Sequence, residues 1–66
     1  MKNSEKPVVK INKEMNWLDI GNKIFIALKR NGYIFQARKF ANKAARLRNS
    51  EDILSLAKDY VQIVFT

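Results

Sequence analysis

A chain of 66 residues with neither cysteine nor histidine has no disulfide framework and no Cys/His zinc site, the usual staples of very small proteins. Side-chain packing must hold it together, and a domain of this size buries only about 60% of the surface its unfolded chain exposes. Ordering costs about 1.5 kcal/mol per residue, which a thin core barely offsets. Burial against a second copy is a natural supplement, and a homodimer is the expected state. Hydrophobic residues make up 47% and charged residues 29%, the balance of a folding chain rather than a disordered one. One domain over residues 1–66 is expected, with residues 1–6 as a frayed polar tail.

The distribution of charge says more than its total of +7. Residues 1–19 carry four lysines and three acids, and residues 51–66 carry Lys58 against Glu51, Asp52 and Asp59. Between them, from Ile20 to Ser50, lie eight bases and no acid: Lys23, Lys29, Arg30, Arg38, Lys39, Lys43, Arg46 and Arg48. Such segregation creates a field of one sign that attracts an anionic polymer or an acidic protein surface. The longest uncharged runs, Asn31 to Ala37 and Tyr60 to Thr66, fall far short of the ~20 apolar residues that span a bilayer. The N-terminus lacks the apolar stretch of a signal peptide. A cytoplasmic protein with no membrane contact is expected, in a host cell if the source is viral.

Pro7 followed by Val8, Val9, Lys10 and Ile11 predicts a short strand, because proline is tolerated at a strand's first residue. Asn16 with Asp19 three residues on is an N-cap pattern, and Asn31-Gly32 is a helix stop, so a first helix is predicted from Trp17 to Arg30. At about 100° per residue, Trp17, Ile20, Gly21, Ile24 and Leu28 share its core face, with Leu18 and Phe25 on one flank and Ile26 opposite. Tyr33, Ala37, Phe40, Ala41, Ala44 and Leu47 predict a second helix from Ile34 to Leu47, its alanines allowing close approach to the first. Asn49 or Ser50 caps a third, with Glu51 and Asp52 in its first turn and Ile53, Leu56, Ala57 and Tyr60 as its buried stripe. The β-branched and aromatic run Val61 to Phe65 suits a closing strand. The expected fold is mainly α, a small α+β domain with three helices bracketed by short terminal strands. Those strands could pair within one chain or between two.

No enzyme is expected. Without His or Cys, acid–base and nucleophilic work would fall to groups that form no recognisable set. Glu51 and Asp52 are neighbours on a helix and diverge by about 100°, so capping accounts for them better than a metal does. Gly21 and Gly32 stand in no phosphate-loop frame, and no cofactor is indicated.

The most informative polar face belongs to the second helix, where Phe35, Lys39, Asn42 and Arg46 follow the i, i+4, i+7, i+11 rule, flanked by Arg38 and Lys43. This is the expected nucleic-acid-binding set. Lysine and arginine neutralise phosphates, Asn42 is available to a base edge, and Phe35 offers stacking. The competing account is a solvated face with Phe35 folded back into the interhelical turn; against it stands the lack of any acid, since a surface made for solubility mixes signs. A helix-turn-helix fails by one residue, because Asn31 stands where the turn glycine belongs four positions after Ala27. A ribbon-helix-helix protein has no third helix or closing strand. An acidic protein remains the alternative partner, with Phe35 and Ile26 as its apolar contacts if both are exposed.

Gly21-Asn22, Ala27-Leu28-Lys29-Arg30-Asn31-Gly32, Ala37 with Phe40, Ser50-Glu51-Asp52-Ile53-Leu54 and Tyr60-Val61-Gln62-Ile63 together resemble a group of short uncharacterised proteins encoded by phages, prophages and plasmids. Members of that group show G-N, A-L-R/K-x-x-G, E-A-x-x-F, D-Y-D-x-L/A and W/Y-V-E-V. The chain departs from them at Gln36 and Gln62, which replace acids, and at Asn49 to Asp52 near the third helix, leaving it unusually basic. The resemblance implies a small accessory protein of a mobile element, and no mechanism.

Overall fold

A computed structural model describes residues 6–66. The elements follow in the order β1 (Val8–Ile11), α1 (Trp17–Arg30), α2 (Ile34–Ala44), α3 (Ser50–Ala57) and β2 (Gln62–Phe65). The expected frayed tail lies outside the described residues except for Lys6, whose Nζ donates to the Lys58 carbonyl at 2.9 Å.

The strands pair within the chain, in parallel, with Val8 opposite Gln62 and Ile11 opposite Phe65. A parallel pair needs a long crossover, and the three helices provide it. Pro7 already belongs to this ladder through its carbonyl, which accepts from the Gln62 N–H at 2.9 Å, so its missing N–H costs nothing. Val9 and Ile11 turn inward and are buried, while Val8 and Lys10 face out. With its third helix, its closing strand and this intrachain pairing, the domain is not a ribbon-helix-helix.

Both ends of α1 are closed by groups the local sequence supplies. Asn16 accepts from the Asp19 N–H at 2.8 Å at one end. At the other, the Gly32 N–H reaches the Lys29 carbonyl at 3.1 Å and the Tyr33 N–H reaches Leu28 at 2.9 Å, with Gly32 at φ +85°. This double closure is a Schellman motif, and it demands a left-handed residue at Gly32. Asn49 caps α3 by accepting from the Glu51 N–H at 2.7 Å.

The core gathers on α1. Ile20, Ile24 and Leu28 are buried with Ala37 and Phe40 from α2, Ile53 and Ala57 from α3, Val9 and Ile11 from β1, and Val61. Phe40 meets Tyr60 edge-to-face, ring centroids 5.8 Å apart, tying α2 to the chain beyond α3. Trp17, Gly21, Phe25, Leu56 and Tyr60 from the expected stripes are half-buried, and Leu18 is exposed.

Two boundaries differ from expectation. The second helix ends at Ala44 rather than Leu47, because the Arg46 and Leu47 N–H groups bond three residues back, to Lys43 and Ala44, and tighten the chain into a turn. The closing strand begins at Gln62, because the Val61 N–H still bonds the Ala57 carbonyl at 2.8 Å and completes the last turn of α3.

The two glycines should respond oppositely to alanine. A Cβ at Gly21 would meet Ile53 Cδ1 at 3.8 Å, an ordinary contact. Gly21→Ala is therefore expected to stabilise the domain by about 0.5–1 kcal/mol through helix propensity. Gly32→Ala is expected to cost about 1–2 kcal/mol by forcing a Cβ into the left-handed region. Urea denaturation of the two variants checks both signs.

Candidate nucleic-acid interface

Helix α2 turns Ala37 and Phe40 into the core, which leaves its other side to solvent. Arg38, Lys39, Asn42 and Lys43 are exposed on it, and so is Arg46 in the turn that follows. Arg46 therefore joins this surface from the tightened turn, not from the helix itself. Phe35 is 77% exposed, which rules out its folding back into the interhelical turn. Ile34 beside it is 50% exposed, and periodicity gave no sign of this. The first turn of α2 thus presents two apolar side chains, with a cationic strip running from them toward the helix C-terminus.

The electrostatics of this strip are of one sign. The first turns of α1 and α3 hold acids, Asp19 in one and Glu51 and Asp52 in the other, whereas the first turn of α2 holds none. The positive end of its dipole is left uncompensated by side chains, close to Phe35 and Arg38. Among the described residues, Arg38, Lys39, Lys43 and Arg46 make no ion pair or side-chain hydrogen bond. Their charges are fully available to a partner.

A groove of about 440 Å³ borders the α2 surface, walled by Trp17, Leu18 and Phe25 of α1, with Ala41, Ala44 and Ala45 opposite. The alanines create this space, since larger side chains there would close the interhelical seam. A cation covers each of the two aromatic rings that α1 gives it: Arg48 lies 5.6 Å from the Trp17 ring and Lys29 lies 5.3 Å from the Phe25 ring. Apolar spacing predicts core roles for Trp17 and Phe25, and both are packed against the core on one side only. The spacing of Lys29 from Phe25, four residues along one helix, was a legible signal; that of Arg48 from Trp17 was not, because the fold brings them together.

No group of three or more carboxylates gathers among the described residues as a metal site would require. None of the described helices is long and apolar enough to cross a membrane. Comparison of the chain with protein-family models, curated proteins and solved structures finds no match.

The Arg48–Trp17 contact should be measurable. Arg48→Ala is expected to lower stability by about 0.5–1 kcal/mol, the size of a cation–π contact at a partly exposed site. It should also red-shift the emission of Trp17, the single tryptophan, by uncovering one ring face. Arg48→Lys should retain part of both properties, as fluorescence-monitored unfolding would show.

Proposed function

We propose that this protein is an intracellular, non-enzymatic accessory protein of a mobile element that binds nucleic acid through the cationic surface of α2. The observation that carries this is the exposure, on one side of one helix and its following turn, of Arg38, Lys39, Asn42, Lys43 and Arg46 beside a solvent-facing Phe35. Unpaired cations in a row suit a phosphate backbone, whose neutralisation releases counterions and supplies most non-specific affinity. An exposed aromatic at the end of such a row suits stacking on an unpaired base. Asn42, between the cations, offers both a donor and an acceptor to a base edge. An acidic protein surface is the competing partner for the same strip, since Ile34 and Phe35 could serve as its apolar contacts.

Fluorescence anisotropy with labelled single-stranded RNA and duplex DNA decides between them. Binding is expected with Kd of roughly 10⁻⁴ to 10⁻⁶ M at physiological salt, tightening as salt is lowered. A Lys39→Ala, Lys43→Ala, Arg46→Ala variant should lose most of this affinity, and its salt slope should fall by about one for each phosphate contact removed. Phe35→Ala should cost about 1–3 kcal/mol on the single strand and little on the duplex. Absence of binding to both polymers at low salt would overturn the proposal in favour of the acidic protein.

The proposal extends to self-association. Val64 and Phe65 of β2 are 40% and 53% exposed, apolar surface that a second copy could cover. Sedimentation at high salt should give a dimer, and Phe65→Ser should shift it toward monomer.

A further inference from the structure

Among the described residues, strand β1 is paired along one edge only. The Pro7 and Ile11 carbonyls accept from the N–H groups of Gln62 in β2 and of Thr66 just beyond it at 2.9 and 3.0 Å, in the register that sets Val8 opposite Gln62 and Lys10 opposite Val64. Backbone groups of successive strand residues point to alternate edges, so Val9 and Ile11 bond toward β2, and the N–H and C=O of Val8 and Lys10 point the other way. No described residue pairs with them.

Beside that open edge runs a groove of about 530 Å³, walled by β1 on one side and by Lys23, Ile26 and Arg30 of α1 on the other. It shares no lining residue with the groove next to α2. Val8 is 59% exposed and Ile26 50%, so its walls offer apolar surface. Lys10, Lys23 and Arg30 supply three cations, and among the described residues no acid lines it. Among the described residues these cations have no ion-pair partner.

We propose that the free edge of β1 and the groove beside α1 bind an extended acidic peptide segment of another protein by strand addition, making the sheet three-stranded. Three features select this occupant. A second copy would set Lys10, Lys23 and Arg30 against their own counterparts, and an edge lysine ordinarily discourages such self-pairing. A nucleic acid could answer the cations, but it has no backbone N–H and C=O row to complete the ladder. An extended peptide answers both, its main chain pairing with Val8 and Lys10 while alternate side chains meet the two walls. At a rise of about 3.3 Å per residue, β1 accommodates a paired segment of about four to six residues.

The test uses a fluorescein-labelled heptapeptide, Asp-Val-Glu-Ile-Glu-Val-Asp, and the same peptide N-methylated at every backbone amide, which keeps its charge and removes the N–H donors of both its edges. Lys10→Ala should weaken binding several-fold through lost charge. Lys10→Pro should weaken it at least tenfold further, because it also removes an N–H that β2 does not use. The N-methylated peptide should fail to bind wild type. In the bound state the Val8 and Lys10 amides should become protected from hydrogen exchange. The Lys39, Lys43, Arg46 triple-alanine variant should bind the peptide as wild type does. Equal binding of the N-methylated and parent peptides would overturn strand addition, and this comparison holds even if Lys10→Pro unfolds. Equal affinity of Lys10→Pro and Lys10→Ala would overturn it too. So would protection of the Val8 and Lys10 amides by a single-stranded oligonucleotide that displaces the peptide, which would assign the groove to nucleic acid.

Discussion

Every other element of this domain depends on the burial of one stripe of α1. Ile20, Ile24 and Leu28 are almost wholly removed from water, β1, α2 and α3 each contribute buried residues of their own to the same cluster, and β2 adds the partly buried Ile63. Burying a side chain of this size contributes about 1.5–3 kcal/mol, and with no disulfide available that term must set the tertiary arrangement. Ala37 and Ala57, both fully buried, show how tightly the neighbouring helices approach. The sheet is subordinate to this packing: two strands are marginal alone in water, and β1 is held by Val9 and Ile11 entering the same cluster.

Once the core faces are assigned, the surface follows from what is left over, and here the acid-free stretch acquires a structure. Its eight bases separate into three places. Arg38, Lys39, Lys43 and Arg46 stand on and just beyond α2. Lys29 and Arg48 lie over the Phe25 and Trp17 rings. Lys23 and Arg30 join Lys10 beside the open edge of β1. A single run of like charge in the sequence thus becomes two cationic surfaces and a pair of ring contacts. Because α1 contributes to both grooves from different flanks, this one helix fixes the spacing of the two surfaces.

Much of this was legible before any tertiary structure. The bounds of β1 and α1, the Asn16 cap, the Gly32 stop and the core stripe of α1 all rest on interactions within a few residues, which local sequence specifies. The exposure of Arg38, Lys39, Asn42 and Lys43 follows from the same periodicity, because a helix that buries Ala37 and Phe40 must expose the opposite side. Less legible was the end of α2. Ala45, Arg46 and Leu47 are all good helix formers, and only the chain's need to turn toward α3 stops the helix. Ile34 and Leu18 show the same limit, since an apolar residue off the stripe is core or surface according to what packs against it.

The sequence by itself determined the order of the elements, the caps of α1 and α3, the core stripe of α1 and the sign of the surface charge, because all of these arise from contacts or periodicities of a few residues. Only the tertiary structure decided that the two strands pair with each other and in parallel, that Arg48 lies over Trp17, and that Lys10 joins Lys23 and Arg30 beside an open strand edge. Each of those pairs residues far apart in the chain, and their meeting is set by how α2, α3 and β1 pack on α1. Packing of that kind depends on the combined shape of many side chains, which no local pattern encodes.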